Sequence, residues 1–244
     1  MKNLYFLLLM IAGIDAVGQS LQIEIFASGG SNFSQGNTTP VFQSALFPAG
    51  YLQGNLGYQV FRRWELGGGI TYYSLGMRNR FVPEGQAGNS FGTISLQTDY
   101  PFMPHLYLRY TLSEETRRFP ALSISLGMLY ARERERWAIG EGAPVVENIR
   151  PDGQIFYSRF ESVIEPHTFL AVDARLDMQM LNQADHRLFA VFHLIKGLNP
   201  VMTTQHAYSV GSPTLDQQST QVLRGDYVGV GIAWRYRVWK KETN

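Results

Sequence analysis

The chain has 244 residues, of which 45% are hydrophobic and 13% aromatic, with 24 glycines and a formal charge of +1 from 21 Lys/Arg against 20 Asp/Glu. It contains no cysteine, which excludes a disulfide framework, a thiolate metal site and a lipidated cysteine anchor, while a balanced charge without an extended Lys/Arg cluster argues against a nucleic-acid partner. No window after residue 20 approaches 18 consecutive apolar residues, so if this chain crosses a membrane it does so with strands.

Residues 1–18 read as an export signal. Lys2 supplies the positive start, Leu4 to Ile14 a short apolar run and Ala16-Val17-Gly18 a small-x-small site, with cleavage expected before Gln19. The apolar run covers about 11 residues, well short of the roughly 20 that a spanning helix needs, which favours a removed signal over an anchor. Residues 19–244 then form one domain without a linker.

A side-chain period of two begins directly afterwards. In the first expected strand, 21–29, Leu21, Ile23, Ile25 and Ala27 oppose Gln22, Glu24, Phe26 and Ser28. In the second, 49–61, Leu52, Leu56, Tyr58 and Val60 oppose Gln53, Asn55, Gly57 and Gln59. The third, 64–77, sets Trp64, Leu66, Ile70 and Tyr72 against Glu65, Gly67, Gly69, Thr71 and Tyr73; its glycines suit a narrow, curved wall. The fourth, 92–112, places Leu106, Leu108, Tyr110 and Leu112 around Tyr107, Arg109 and Thr111, and the fifth, 120–132, alternates Leu122, Ile124, Leu126, Met128 and Tyr130 with small residues. The sixth, 162–180, sets Leu170, Val172, Leu176, Met178 and Met180 opposite Asp173, Arg175, Asp177 and Gln179. At 100° per residue those charges would scatter around a helix, so a helical reading fails. The seventh, 187–196, is apolar on both faces.

The eighth, 226–239, carries the pattern most clearly. Val228, Val230, Ile232, Trp234, Tyr236 and Val238 form an apolar row, with Gly229, Gly231, Ala233, Arg235 and Arg237 between them. Arginines opposite an unbroken apolar row fit a wall between lipid and a polar interior.

The links alternate in length: 62–63, 113–119 and 181–186 are short, whereas 30–48, 78–91, 133–161 and 197–225 are long. The fold class implied is all-β, a transmembrane antiparallel up-and-down β-barrel of eight strands with both ends of the barrel on the short-link side. Pro101 and Pro104 in the fourth strand and Pro166 in the sixth leave ten strands as the alternative, should both long segments break into hairpins. Two aromatic girdles are expected, with Tyr58, Trp64, Tyr110, Phe119 and Trp239 on the short-link side and Tyr51, Tyr72, Tyr100 and Tyr130 on the other.

Gly231-Ile232-Ala233-Trp234-Arg235-Tyr236 resembles the C-terminal signal by which outer-membrane proteins are recognised for barrel assembly, a glycine followed by aromatics three and five residues on. The chain departs from that pattern by continuing from Lys240 to Asn244 after Trp239. With the signal segment and the eight amphipathic strands, it resembles the small bacterial outer-membrane β-barrel proteins grouped as porin-like or OmpA/OmpX/OmpW-like. The small-residue site before Gln19 is similar to that of Bacteroidota exports. The resemblance implies an outer-membrane location, contact with outer-membrane lipid and lipopolysaccharide, recognition of Gly231, Trp234 and Tyr236 by the assembly machinery, and a possible place in an envelope protein complex.

Eight strands enclose an interior that side chains can fill, so an open pore is not the default. The inward set Glu24, Glu65, Arg109, Asp173, Arg175, Asp177, Arg235 and Arg237 carries both signs and is expected to form a lumenal polar network. The alternating run Arg132 to Arg136 is expected to project beyond the lipid, where its arginines could meet lipopolysaccharide phosphate. His105, His167, His186, His193 and His206 are scattered, no serine motif accompanies them, and no metal-ligand spacing appears. The reading is a non-enzymatic barrel without a cofactor, structural or partner-binding through its long loops. The residues 133–161 are apolar enough for either a protein partner or strands packing on one another. A small channel and a lipid A-modifying enzyme stand as alternatives.

Overall fold

The computed structural model describes residues 20–36, 42–81, 92–114, 120–132, 137–139, 146–149, 153, 155–164 and 168–240. The signal segment 1–18, Phe119 and residues 133–136 lie outside them. Among the described residues all regular structure is strand, in the order β1 (Ser20–Gly36), β2 (Phe42–Ala45), β3 (Phe47–Phe61), β4 (Trp64–Phe81), β5 (Gly92–Ser113), β6 (Leu122–Arg132), β7 (Trp137–Ile139), β8 (Val146–Ile149), β9 (Ile155–Ile164), β10 (Thr168–Gln183), β11 (His186–Gly197), β12 (Met202–Val210) and β13 (Gln217–Lys240).

Eight of these make a closed antiparallel barrel. β1, β3, β4, β5, β6, β10, β11 and β13 pair in that sequence, and β13 returns to β1 in a register running from Ser20 opposite Lys240 to Gly36 opposite Gln221. Closure removes every free edge from the barrel wall, which is the only way a sheet can sit in hydrocarbon without orphaned backbone groups. The described ends, Ser20 and Lys240, lie with the short links 62–63 and 184–185.

The prolines act differently in the two long segments. β5 stays continuous through Pro101 and Pro104 because a bulge absorbs them: Thr71 faces Met103 while Tyr73 faces Tyr100, and Phe102 adopts φ 60 and is 79% exposed. The expected sixth strand, by contrast, is two strands. β10 starts at Thr168 and belongs to the wall, whereas β9 ends at Ile164 and pairs with β12 instead. The wall therefore keeps eight strands, and ten is excluded.

β13 spans both parts of the molecule. Its second half closes the barrel, and its first half, Gln217 to Leu223, pairs with β12, which pairs in turn with β9; β7 and β8 then flank β9. This extension stands at the long-link end. Phe156 is fully buried in it and stacks on Tyr208 at 5.8 Å, so the apolar character of 133–161 is explained at least in part by strands packing on one another. At the junction Gly225 takes φ +79, where a side chain would meet the Phe169 ring.

The polarity of the wall is inverted relative to a water-soluble protein. Leu52, Leu66, Leu106, Leu126, Val230 and Ile232 are more than half exposed on the outside, while Glu24, Arg109, Asp173, Arg175 and Asp177 are buried within. A belt of large apolar side chains around a charged interior has only one suitable surrounding, the hydrocarbon of a bilayer. Tyr72 and Tyr130 are outward and exposed, as are Trp64 and Trp239 at the other end, but Tyr51 and Tyr100 are buried inward. Those two leave the expected girdle because their positions share the inward face with Gln53 and Met103, and rings fill the lumen at that height.

Candidate functional site: the barrel lumen and its extension

The lumen is organised around Glu24. Its carboxylate accepts from Arg109 Nη2 at 2.6 Å, Arg175 Nη1 at 2.8 Å, Arg235 Nε at 2.6 Å and Asn55 Nδ2 at 2.9 Å. Four donors from four strands occupy the acceptor capacity of one carboxylate. Arg109 also donates to Glu65 at 2.5 Å, with the Tyr107 hydroxyl on the same oxygen at 2.6 Å, and Arg235 donates to Asp177. Two guanidiniums lie against rings, Arg175 4.0 Å from the centre of Phe26 and Arg235 3.8 Å from that of Phe189. Such charges are held only because each is paired several times in a space that excludes most water.

Towards the long-link end follows a second tier centred on Asp173. His105 Nε2 lies 3.3 Å from one carboxylate oxygen and His193 Nε2 3.2 Å from the other, and the Tyr51 hydroxyl donates at 3.2 Å. Both imidazoles are held from their far side, His193 Nδ1 by Ser28 Oγ at 3.1 Å and His105 Nδ1 by Gln53. The Tyr227 hydroxyl donates to Ser28 at 2.9 Å. Above this tier the interior is apolar and aromatic, including Tyr73, Leu75, Met77, Tyr100, Phe169 and Leu223.

Seven of the eight charged residues singled out in the sequence thus lie inside the barrel: six form the Glu24 tier, and Asp173 forms its own. Arg237 stands apart at the short-link rim, 4.0 Å from Asp185, its side chain 23% exposed. It keeps the register that sets Glu24 opposite Arg235, with Gln22 opposite Arg237, and the register shift falls beyond it, at Trp239. Of the assembly-signal residues, Gly231 faces β1 so closely that a Cβ would meet the Ala27 carbonyl, while Trp234 stacks on Tyr236 and on His186 outside, with Tyr236 tilted against the same imidazole.

His105, His193, Ser28, Tyr51 and Tyr227 were not legible as one cluster. Ser28 and His193 are 165 positions apart and meet through the lumen. Among the described residues no group of three or more His, Asp or Glu is arranged to hold a metal ion. Outside the lumen, the extension carries a groove of about 430 Å³ lined by residues including Glu161, Val163, Pro200, Val201, Met202 and Thr203.

No protein-family model matches the chain, and no curated protein matches it in sequence. Among solved structures it is similar to the outer membrane protein OprG from Pseudomonas aeruginosa, at 10% identity over 91% of this chain and 96% of that one with a TM-score of 0.41. It is similar also to Neisserial surface protein A, at 8% identity over 91% and 99% with 0.38, and to the outer membrane protein W of E. coli, at 12% over 92% and 100% with 0.37. Likenesses at this level transfer neither a site nor an activity. The closed eight-strand wall and its inverted polarity define the class: a small transmembrane β-barrel protein.

Proposed function

We propose that this barrel is a plugged, non-enzymatic scaffold that acts through its extension, as a structural element or as the docking part of an envelope complex. The observation that carries this reading is the Glu24 hub, in which arginines from β5, β10 and β13 converge on one carboxylate of β1 and so bridge the lumen. An ion entering that tier would have to displace guanidiniums that are already paired. The β9–β12–β13 sheet and its groove support the docking half of the proposal, since a rigid barrel presents specificity on the segments that leave it. Lipopolysaccharide contact and delivery by the barrel-assembly machinery belong to the same proposal. Planar-bilayer recording of the purified protein is the test: the expected trace is silent, and reproducible unitary steps would favour the channel reading.

One observation favours a second reading. Ser28, His193 and Asp173 have the composition of a hydrolase triad, at 3.1 and 3.2 Å. Two features weigh against it. Ser28 is only 8% exposed, and the ladders to β3 and β13 engage its strand on both sides, leaving few backbone donors for an oxyanion. Labelling with a fluorophosphonate, compared with Ser28→Ala, separates the readings; labelling that depends on Ser28 would establish an enzyme.

A further inference from the structure

The formal charge of +1 conceals an uneven distribution along the barrel axis. At the short-link rim the described residues include five cations, Arg62, Arg63, Arg187, Arg237 and Lys240, against two acids, Glu114 and Asp185. At the long-link end six Lys/Arg stand against five Asp/Glu among the described residues, so that end is nearly balanced. Among the described residues the rim is therefore the electropositive pole.

Its cations are accompanied by rings. Arg62 and Arg63 form the two-residue link between β3 and β4, immediately before Trp64, whose ring lies 4.6 Å from that of Tyr110. Arg63 Nη1 reaches the Tyr110 hydroxyl at 3.5 Å, and Arg62, with its side chain 79% exposed, pairs with Glu114 at 3.1 Å. Trp64 and Trp239 are both more than 40% exposed at the lower border of the apolar belt. Indole and phenol rings settle at headgroup depth, which places the neighbouring guanidiniums level with the lipid phosphates.

We propose that the short-link rim is a binding surface for anionic phospholipid headgroups, with the Arg62-Arg63 link as its principal contact and Lys240 extending it. The partner is a lipid rather than an acidic protein because the cations sit at the edge of the belt beside exposed rings, where a phosphodiester lies and a soluble protein does not reach. Guanidiniums suit this role, since a planar fork matches two phosphate oxygens.

The test is lipid retention by the folded barrel, measured by native mass spectrometry after exchange into micelles containing equal phosphatidylglycerol and phosphatidylcholine. Preferential retention of phosphatidylglycerol that weakens with salt is expected, and Arg62→Gln/Arg63→Gln should reduce it about tenfold. Arg78→Gln/Arg80→Gln, at the opposite end, should leave it unchanged. Heat-modifiable migration in gels verifies that each variant is folded. Equal retention of the two lipids overturns the proposal, as does an equal loss in both double variants. Competition by soluble polyglutamate as effective as that by phosphatidylglycerol would overturn it in favour of an acidic protein partner.

Discussion

The lower lumen and the extension are both built from antiparallel strands with one buried face, yet opposite forces hold them. In the lumen, Glu24, Arg109, Arg175, Asp177 and Arg235 pair around one carboxylate. In the extension, Phe156 stacks on Tyr208, Leu223 is fully buried, and Thr204 Oγ1 meets Ser162 Oγ at 2.7 Å. The difference follows from what each region faces. The outside of the lower wall belongs to lipid, so its polar groups can only turn inward; the extension has water outside and can bury its apolar groups as a soluble protein does.

If ion pairs hold the lumen, breaking its hub should have the largest effect. Glu24→Gln leaves three guanidiniums around a neutral amide and is expected to cost about 4 kcal/mol in urea unfolding of the detergent-solubilised barrel. The corresponding test of the extension is Phe156→Ala, which removes a fully buried ring and should cost about 3 kcal/mol. That loss should be local: proteolysis of residues 200–223 should accelerate while heat-modifiable migration of the barrel stays unchanged.

Acid should sharpen the contrast further. Burial holds His206, in β12, down at about 4, below the ordinary imidazole value of 6.5. The unfolded segment then binds a proton before the folded one does, so its contribution is intact above about pH 6.5, declines as pH falls towards 4 and is flat below that. Hydrogen exchange across β12 should therefore report a loss of roughly 2 kcal/mol between neutrality and pH 4.5. The smallest effect is expected at Arg237→Gln, below about 0.5 kcal/mol, because its contact with Asp185 is long and wet. A cost comparable to that of Glu24→Gln would show that the hub extends to the rim.

The wall was legible because lipid outside and charge inside enforce a period of two in each strand, and even the seventh segment, apolar on both faces, became β11 with Phe189, Val191 and Ile195 inside. Pro166 signalled a possible break in the sixth segment, but that β9 leaves the wall was not legible. Most of β9 lay in the expected long link 133–161 and only its end, 162–164, ran into the sixth segment, so nothing local distinguished a strand of the wall from one above it. The charges could be read as inward from their strands, but their partners could not. The Asp173 tier draws residues from β1, β3, β5, β10, β11 and β13, and a sequence does not state which strands face one another across a lumen.

The 24-residue β13 has a mechanical consequence. It is at once the outermost support of the extension and the stave that closes the barrel against the 17-residue β1. A force applied at the tip runs down a single backbone into that seam, where it loads the whole ladder in shear instead of unzipping one bond at a time. The extension is thus mounted on the wall like a mast stepped through the deck to the keel.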